Sequence, residues 1–327
     1  MISHHSDFVP SSSSDASSNN NACSDPNSSI SCCTFNVHSF KTDDKKDNRE
    51  MVTKYFIDNS YDIIGLNEAY EKRNAKTPLT DICNTLTERF QKPYKYYYVN
   101  TSNLGNAIIT WLPVKKVKKK YLKRGPGGPR TVIGVQFESS CCIEFAFVTH
   151  LDYIQETMRI QQLAEVMNFM AEFMAFDLSS QQQAPKYVLM GDFNAMHRSD
   201  YTSNFWNFLQ EMRDKRKWEP VSSDLMNCLF ATKTHQIPKH HNILSKLAQQ
   251  LQIVDPWKLK NKDQLFDGTP NTSSSRFHTR IDYILCSQVT QRSVVESYID
   301  LRENTLLISD HNPVVVRLAN NAELDNI

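Results

Sequence analysis

The sequence predicts a mixed α/β domain in which two β-sheets pack together and helices cover their outer faces. Three observations lead to this prediction: strand-like apolar segments outnumber amphipathic helical segments, helices separate only some of the strands, and several strands end in a polar residue. A chain of 327 residues with 40% hydrophobic and 22% charged residues is within the range of one large soluble domain. We predict no transmembrane segment, because no apolar run approaches the roughly 18 residues that a span needs.

Both ends of the chain are predicted to lie outside the folded domain, which we place at residues 31–319. Residues 1–30 are dominated by Ser, Asn and Asp, and such a segment buries too little apolar surface to offset its chain entropy. We therefore predict a disordered tail there, and a second short tail at residues 320–327. The start shows no basic segment followed by an apolar one, and none of the 8 cysteines lies in a CxxC motif. We expect reduced cysteines, a cytoplasmic or nuclear location, and a monomer.

The first half of the chain contains six predicted strands and three predicted helices. The strands are 31–38, 61–68, 94–99, 106–112, 131–137 and 143–151. The helices are 48–59, 77–90 and 159–176, each with apolar residues recurring on one face. In helix 48–59 this face is formed by Met51, Val52, Tyr55 and Phe56. Residues 115–130 are predicted to form a basic loop between two of the strands.

The second half is built around residues 186–195, which read KYVLMGDFNA. Residues 187–190 are a short apolar run, typical of a strand that is buried on both faces. Asp192 and Asn194 follow two residues apart, so strand alternation directs their side chains the same way. Gly191 before them allows another backbone or a ligand to approach closely. The remaining predicted elements are helices 203–213 and 243–251 and strands 280–285, 294–299 and 312–318.

Polar residues at the ends of strands are the candidate site. They are Asn36, Glu68, His150 with Asp152, Asp192 with Asn194, Asp282, and Asp310 with His311. Taken singly, each has an ordinary explanation such as a turn cap or a satisfied core histidine, but six such coincidences together favour a common site. The donors are hard oxygens and imidazoles without a thiolate, which suits Mg²⁺ or Mn²⁺ and argues against a structural zinc site.

Seven segments carry a resemblance to a known family. They are FNVH (35–38), GLNEAY (65–70), GNAIITWLP (105–113), THLD (149–152), GDFNA (191–195), RIDYIL (280–285) and SDHNPVVV (309–316). In this order they resemble the motifs of the endonuclease/exonuclease/phosphatase superfamily, which includes deoxyribonuclease I, over residues 31–318. The resemblance implies a four-layer α/β sandwich with its site at the top of two central sheets. It also implies Mg²⁺-dependent cleavage of a phosphoester, with Mn²⁺ as a substitute.

The resemblance also implies a role for each matching residue. Glu68 matches the main metal ligand, with Asn36 and Asp310 near the metal. Asp192 matches the group that orients or deprotonates the attacking water, and Asn194 a hydrogen-bond donor to the transition state. Asp282 and His311 match an Asp–His pair, and His150 matches a phosphate-oxygen donor or an acid for the leaving group.

Two departures from the family pattern concern Asn67 and the segment after His150. Asn67 stands where the family usually has Gln, which keeps an amide but shortens it. Asp152 followed by Arg159 and Gln162 resembles a His-Leu-Asp branch found in many bacterial metal-dependent hydrolases and, more loosely, in tyrosyl-DNA phosphodiesterases. We predict that Asp152 and Arg159 bind substrate; a salt bridge between them at the start of the helix is the structural alternative.

The basic loop bears on the substrate. It carries eight cations and no acid, namely Lys115, Lys116, Lys118, Lys119, Lys120, Lys123, Arg124 and Arg130. We predict that Lys116, Lys119 and Arg130 contact a nucleic-acid backbone, although a solvated hairpin has the same composition. Nucleic acid is thus favoured as substrate over a phosphoinositide or sphingolipid head group. The alternative from another class is a non-catalytic binding module on the same fold.

Overall fold

The computed structural model describes residues 29–72, 76–101, 104–138, 142–179, 182–230, 242–269, 274–302 and 305–319. Within these ranges, strands form two sheets of six. The predicted tails fall almost entirely outside the described residues. Ser29 and Ile30, which we placed in the predicted tail, belong to the first sheet, where they pair with Ala319 and Leu318.

The first sheet contains one parallel pair in an otherwise antiparallel arrangement. Its strands are β1 (Ser29–Asn36), β2 (Ile63–Ala69), β3 (Lys95–Asn100), β4 (Gly105–Thr110), β11 (Val294–Ile299) and β12 (Val314–Ala319). Their order is β11-β12-β1-β2-β4-β3. Strands β1 and β2 are parallel, and the other neighbours are antiparallel.

The second sheet has the same plan. Its strands are β5 (Val114–Tyr121), β6 (Thr131–Phe137), β7 (Phe145–His150), β8 (Tyr187–Asp192), β9 (Ile253–Val254) and β10 (Asp282–Ser287). Their order is β5-β6-β7-β8-β10-β9. Strands β7 and β8 form the parallel pair at its centre.

Helices cover the outer faces of both sheets. The helices of the described part of the chain are α1 (Arg49–Asn59), α2 (Pro78–Phe90), α3 (Glu156–Met174), α4 (Ser203–Lys215), α5 (Asp224–Phe230), α6 (Asn242–Gln250), α7 (Pro256–Lys260), α8 (Gln288–Gln291) and α9 (Thr305–Ile308). Not all of them lie on an outer face, because α4 and α7 contribute Leu209 and Trp257 to the apolar layer between the sheets. Helices α1 and α2 pack on the first sheet, and α3, α5 and α6 on the second.

Strand alternation divides the core into three apolar layers. In β8, Val188 and Met190 face the first sheet, whereas Tyr187 and Leu189 face the helices. Gly65 on β2 permits the close contact between the sheets, because a Cβ there would lie 2.8 Å from Val148 Cγ2. Helices, sheet, sheet and helices make four layers, so the predicted α/β sandwich is confirmed.

Several predicted elements need correction. Residues 114–121 form edge strand β5 rather than a loop, and lysines on an edge strand discourage pairing with another chain. In α1, Val52, Tyr55 and Phe56 are buried as predicted, but Met51 is exposed. Helices α5 and α7 were not predicted, because 7 and 5 residues are too short to show a helical period. None of the described helices has the length and apolar character needed to cross a membrane.

Candidate active site

Polar strand ends from both sheets meet at one edge of the sandwich. Asn36 and Glu68 lie at the C-terminal ends of the parallel strands β1 and β2. His150 and Asp192 occupy the same position on the parallel strands β7 and β8, and they are paired in register. The carboxyl ends of two central parallel pairs therefore supply four of the predicted residues.

The other predicted residues reach this edge from antiparallel strands. Asp282 begins β10 and lies opposite Asp192 in the register of the two strands. Asp310 and His311 come just before β12, which runs antiparallel to β1. The start of an antiparallel strand lies beside the end of its neighbour, which brings these side chains to the same edge.

Glu68 is directed by a bulge in β2. Its φ is 55°, and the register between β2 and β4 shifts between Leu66 and Ala69. An irregularity of this kind re-aims a side chain. Asn36 Nδ2 donates to Glu68 Oε1 at 3.5 Å and to Asp192 Oδ2 at 3.1 Å. Because burial removes the carboxylate from water, the pKa of Glu68 is raised.

Asn67, the departure from the family pattern, joins the two sheets beneath the site. Its Nδ2 donates to Asn106 Oδ1 at 2.8 Å and to the Thr149 carbonyl at 2.9 Å. Its Oδ1 accepts the backbone N–H of Asp192 at 2.9 Å. The amide thus connects β2 with β4, β7 and β8, and its full set of partners makes it a positioning residue.

Asp192 lies at the centre of a hydrogen-bonded group. Its Oδ1 accepts the backbone N–H of Asn194 at 2.9 Å, and His150 Nε2 lies 3.5 Å from its Oδ2. Asn194 Nδ2 is 3.1 Å from the same His150 nitrogen. Burial, with a further contribution from the Asp282 carboxylate, raises the pKa of Asp192 to about 7. A carboxylate with such a pKa can accept a proton near neutral pH.

His150 and His311 are in opposite charge states at neutral pH. His311 Nδ1 donates to Asp282 Oδ2 at 2.8 Å. Burial opposes the charged imidazole, but the Asp282 and Asp192 carboxylates raise the pKa of His311 to about 10. Burial, together with the positive charges of Arg130 and His311, lowers the pKa of His150 well below its usual range. His311 is therefore a cation and His150 is neutral.

His38 is a member of the site that the sequence did not single out. Its Nδ1 lies 3.2 Å from Asp310 Oδ1, and its backbone N–H donates to Asn36 Oδ1 at 3.1 Å. Arg276 NH1 approaches Asp310 Oδ2 at 3.6 Å. Because Asn36 Oδ1 accepts the N–H of His38, the Asn36 amide nitrogen faces the carboxylates of Glu68 and Asp192 and orients them. The only sequence signal for His38 is its place in the FNVH motif.

The charge and chemistry of this edge fit a divalent cation. Four carboxylates line or border it, those of Glu68, Asp192, Asp282 and Asp310. Among the described residues, two groups bring ligand atoms within 4.8 Å of one another: Asp192, Asp282 and His311, and His38, Asp43 and Asp310. Hard oxygens in excess over nearby cations are what Mg²⁺, Mn²⁺ and Ca²⁺ bind.

A cavity of about 550 Å³ opens over these residues. Glu68, His150, Asp192, Asn194, Asp310 and His311 form its floor. Its wall includes apolar and aromatic side chains that the sequence analysis missed, namely Met196, Leu209, Met212, Trp218, Phe277 and Ile281. Leu209 and Met212 lie on α4, which was predicted as a helix, and Ile281 lies in the predicted strand 280–285, but neither pattern marked these side chains as part of a cavity. Met196, Trp218 and Phe277 lie in irregular segments without periodicity.

Arg130 borders a second, smaller cavity of about 190 Å³, which Glu68 and His150 also line. Its buried Nε has no hydrogen-bond partner, and no carboxylate among the described residues lies within ion-pair distance of its guanidinium. Burial lowers the pKa of Arg130, although it stays a strong base. Of the three residues of the basic segment predicted to contact nucleic acid, Arg130 is the one that lines a cavity of the site.

Asp152 and Arg159 lie outside both cavities. The Asp152 carboxylate accepts the N–H groups of Gly127, Ile154 and Gln155 at 2.7–2.9 Å and is fully buried. Arg159 pairs with Glu156 at 2.7 Å and Glu219 at 2.8 Å, and it donates to the Asp152 carbonyl. Direct contact of Asp152 and Arg159 with substrate stays a prediction, and in this structure both residues brace the loops beside the site. The predicted Asp152–Arg159 salt bridge is also replaced by these other partners.

Lys116 and Lys119 point to opposite faces of β5. The Lys116 ammonium lies 5.4 Å from the centre of the Phe173 ring on α3, whereas Lys119 borders a groove with Tyr96 and Tyr98. Lys119 pairs in register with Ile133, near the active-site end of β6, and Lys116 with Gln136, toward the far end. Neither lysine lines the two cavities described above.

A buried cation supports the edge from behind. Arg280 makes two hydrogen bonds of 2.7 Å with Asp255 and lies between Trp257 and Tyr283, 4.3 and 4.4 Å from their ring centres. It lies two residues before Asp282. Its fork geometry and its ring contacts need a guanidinium, so Lys is no substitute.

Fold and site together define a deoxyribonuclease I-like α/β sandwich with a polar edge built from both sheets. The chain belongs to the Endonuclease/Exonuclease/phosphatase family, whose model matches residues 33–311. No curated protein sequence matches it significantly.

Several solved structures share this fold. A 3′ phosphatase from Neisseria, bound to a product DNA hairpin, has a TM-score of 0.58 at 16% identity, covering 88% of this chain and 99% of its own. The human Nocturnin catalytic domain with bound sulfate has a TM-score of 0.56 at 14% identity, covering 89% and 94%. TDP2 from Caenorhabditis elegans has a TM-score of 0.54 at 16% identity, covering 89% and 74%. At these identities the similarity shows the fold alone.

Proposed function

We propose that the protein is a divalent-metal-dependent hydrolase of phosphoesters, acting as a phosphodiesterase or nuclease on nucleic acid. The observation that carries the proposal is the arrangement of Asp192 between a cationic His311 and a neutral His150 in one cavity with Glu68. Phosphoryl transfer depends on charge neutralisation and the positioning of a water molecule, and this set supplies groups for both.

The roles follow from the chemistry of each group. Glu68 and Asp310 would hold the cation, which when bound neutralises charge on the phosphate oxygens. Asp192, with a pKa of about 7, orients the attacking water and accepts its proton. His311, fixed by Asp282, and Asn194 donate to phosphate oxygens. His150 presents Nε2 to the leaving group.

Nucleic acid is the substrate that the surroundings favour. Lys119 lies near the active-site end of β5, and Arg130 borders the smaller cavity of the site. Successive phosphates of a polymer would contact both residues. The Neisseria relative bound to DNA adds an analogy at the level of the fold. A phosphoinositide or sphingolipid head group is the second candidate, because the apolar wall of the larger cavity also suits a lipid.

Turnover of bis(p-nitrophenyl) phosphate tests the enzyme proposal. We expect hydrolysis with Mg²⁺ or Mn²⁺, its loss in EDTA, and a decrease of about 10²–10⁴-fold in Asp192→Asn. Asp58→Asn, an exposed carboxylate on α1, is the matched control and should retain full activity. Metal-independent turnover would contradict the proposed role of the divalent cation, and no turnover of any phosphoester would favour a non-catalytic binding module.

A further inference from the structure

The larger cavity has two walls of different chemistry. Its floor carries the acids and histidines of the candidate site, but one side is apolar and aromatic. Leu209 and Met196 are buried at the base of this side, whereas Trp218 keeps 42% of its surface exposed. An aromatic ring left open to water beside a reaction site gains free energy when a ligand covers it. The proposed phosphoester chemistry makes no use of this wall.

Trp218 and Phe277 form an aromatic pair in this wall. Their ring centres are 5.7 Å apart and their planes meet at 81°, an edge-to-face arrangement. Trp218 follows α4, and Phe277 lies four residues before Ile281 on the segment that leads into β10. The two rings thus come from separate parts of the chain and meet at the cavity.

Guanidinium groups surround the aromatic pair. Arg216 lies 4.8 Å from the ring centre of Trp218 and 5.3 Å from that of Phe277, and Arg276 lies 5.0 Å from Phe277. The ring faces of Trp218 and Phe277 can therefore stack against planar groups. Of the described carboxylates that line the cavity, Glu219 alone belongs to this wall, and Arg159 binds it at 2.8 Å. Arg276 pairs with Asp43 and lies 3.6 Å from Asp310, whereas Arg216 has no ion pair among the described residues. Aromatic rings beside a cation such as Arg216 favour an anionic ligand that has a flat part.

The segment carrying Trp218 is held in place. The backbone N–H of Trp218 donates to the Arg213 carbonyl at 2.9 Å, and the preceding residue, Lys217, has a φ of 55°. Glu219 accepts the Glu156 N–H at 2.8 Å in addition to its pair with Arg159. Arg159 thus contributes to the cavity indirectly, because its ion pair with Glu219 positions the aromatic wall.

We propose that Trp218 and Phe277 form a stacking subsite for a nucleobase of the substrate, beside the phosphate that is cleaved. Bases present a flat π-face to aromatic rings whatever their sequence, and guanidinium groups add to such stacking. An acyl chain would fit the apolar base of the wall but would leave the Arg216 guanidinium without an anionic partner. The proposal rests on the proposed function and specifies its substrate class.

Matched dinucleotides provide the test. The substrates are dTpT and two analogues in which one base at a time is replaced by hydrogen, and the measured quantity is the ratio of kcat/KM for dTpT to that of each analogue. Trp218→Ala should lower one of these ratios by about 5- to 150-fold, which corresponds to about 1–3 kcal/mol. Trp218→Phe should restore part of it. Phe208→Ala, an exposed ring on α4 stacked on Phe205, is the control and should leave the ratios unchanged.

A binding measurement separates failure of the subsite from failure of the proposed function. The full-length chain is titrated with adenosine 5′-monophosphate and with ribose 5-phosphate, and isothermal titration calorimetry measures the Kd of each. Tighter binding of the nucleotide, lost in Trp218→Ala, supports the subsite even if no ester is hydrolysed. Hydrolysis of dTpT with ratios that Trp218→Ala leaves unchanged overturns the subsite and keeps the function. Sphingomyelin turnover that depends on Trp218, without such dependence for dTpT, overturns the nucleobase assignment.

Discussion

Asn67 and Asp192 belong to different sheets, yet the Asn67 side-chain oxygen accepts the backbone N–H of Asp192 at 2.9 Å. The same amide also binds Asn106 and the Thr149 carbonyl. Glu68 follows Asn67 directly in the chain, so one buried side chain sets the position of two proposed catalytic groups. The relative placement of the sheets is thereby tied to the geometry of the site.

Asn67→Ala should destabilise the fold and weaken activity together. It leaves the Asp192 N–H and the Asn106 oxygen without this partner, and each unsatisfied buried group costs about 1–3 kcal/mol. We expect the free energy of unfolding, measured in urea, to fall by roughly 3 kcal/mol. Asn100→Ala, at an exposed end of β3, should change it by less than about 0.5 kcal/mol. A loss under about 1 kcal/mol in Asn67→Ala would contradict the cross-sheet role.

The metal-free protein should lose stability as the pH rises. The folded-state pKa of Asp192 is raised to about 7 and that of His311 to about 10. A raised pKa means that the folded state holds its proton more tightly than the unfolded state. The stabilisation that each group contributes is therefore complete below the pKa it has in the unfolded state. It is lost as the pH rises through the pKa of the same group in the folded state. The melting temperature in EDTA should fall between pH 5 and pH 10.

A bound cation should counteract this decrease, because it neutralises the carboxylates that crowd the edge. With Mg²⁺ or Mn²⁺ the melting temperature should decline less over the same range. Asp192→Asn removes one of these groups and should flatten the acidic part of the curve in EDTA. If the melting temperature in EDTA rises with pH instead, the charge crowding inferred for this edge is wrong.

Residues at the ends of strands could be predicted from the sequence, whereas the wall of the cavity could not. Glu68 and Asp192 follow apolar runs, and parallel strands bring such ends to one edge. Trp218 and Phe277 lie in irregular segments whose placement depends on distant contacts such as Arg159 with Glu219. The spacing of Arg159 from Asp152 likewise does not reveal that Glu156 and Glu219 are the ion-pair partners of Arg159.

Lys119 should matter more than Lys116 for binding nucleic acid. Lys119 lies three residues closer to the active-site end of β5, about 10 Å along the strand, and faces away from α3. Lys119→Ser should weaken binding of single-stranded DNA and reduce the slope of log K against log salt by about 0.7. Lys116→Ser is the matched control and should change the slope little. Equal effects of the two replacements would show that the strand acts only through its overall charge.

Arg130 should bind a phosphate of the substrate rather than stabilise the fold. Arg130 is half-buried beside Glu68 and His150, and its buried Nε has no hydrogen-bond partner among the described residues, so its removal breaks no ion pair. Arg130→Gln should lower kcat/KM for a dinucleotide by about 10- to 150-fold, as expected for a charged hydrogen bond of about 1.5–3 kcal/mol. Its melting temperature should not fall. Arg124→Gln, an exposed cation six residues earlier, should retain both properties. A lowered melting temperature with unchanged kcat/KM in Arg130→Gln would assign Arg130 a structural role.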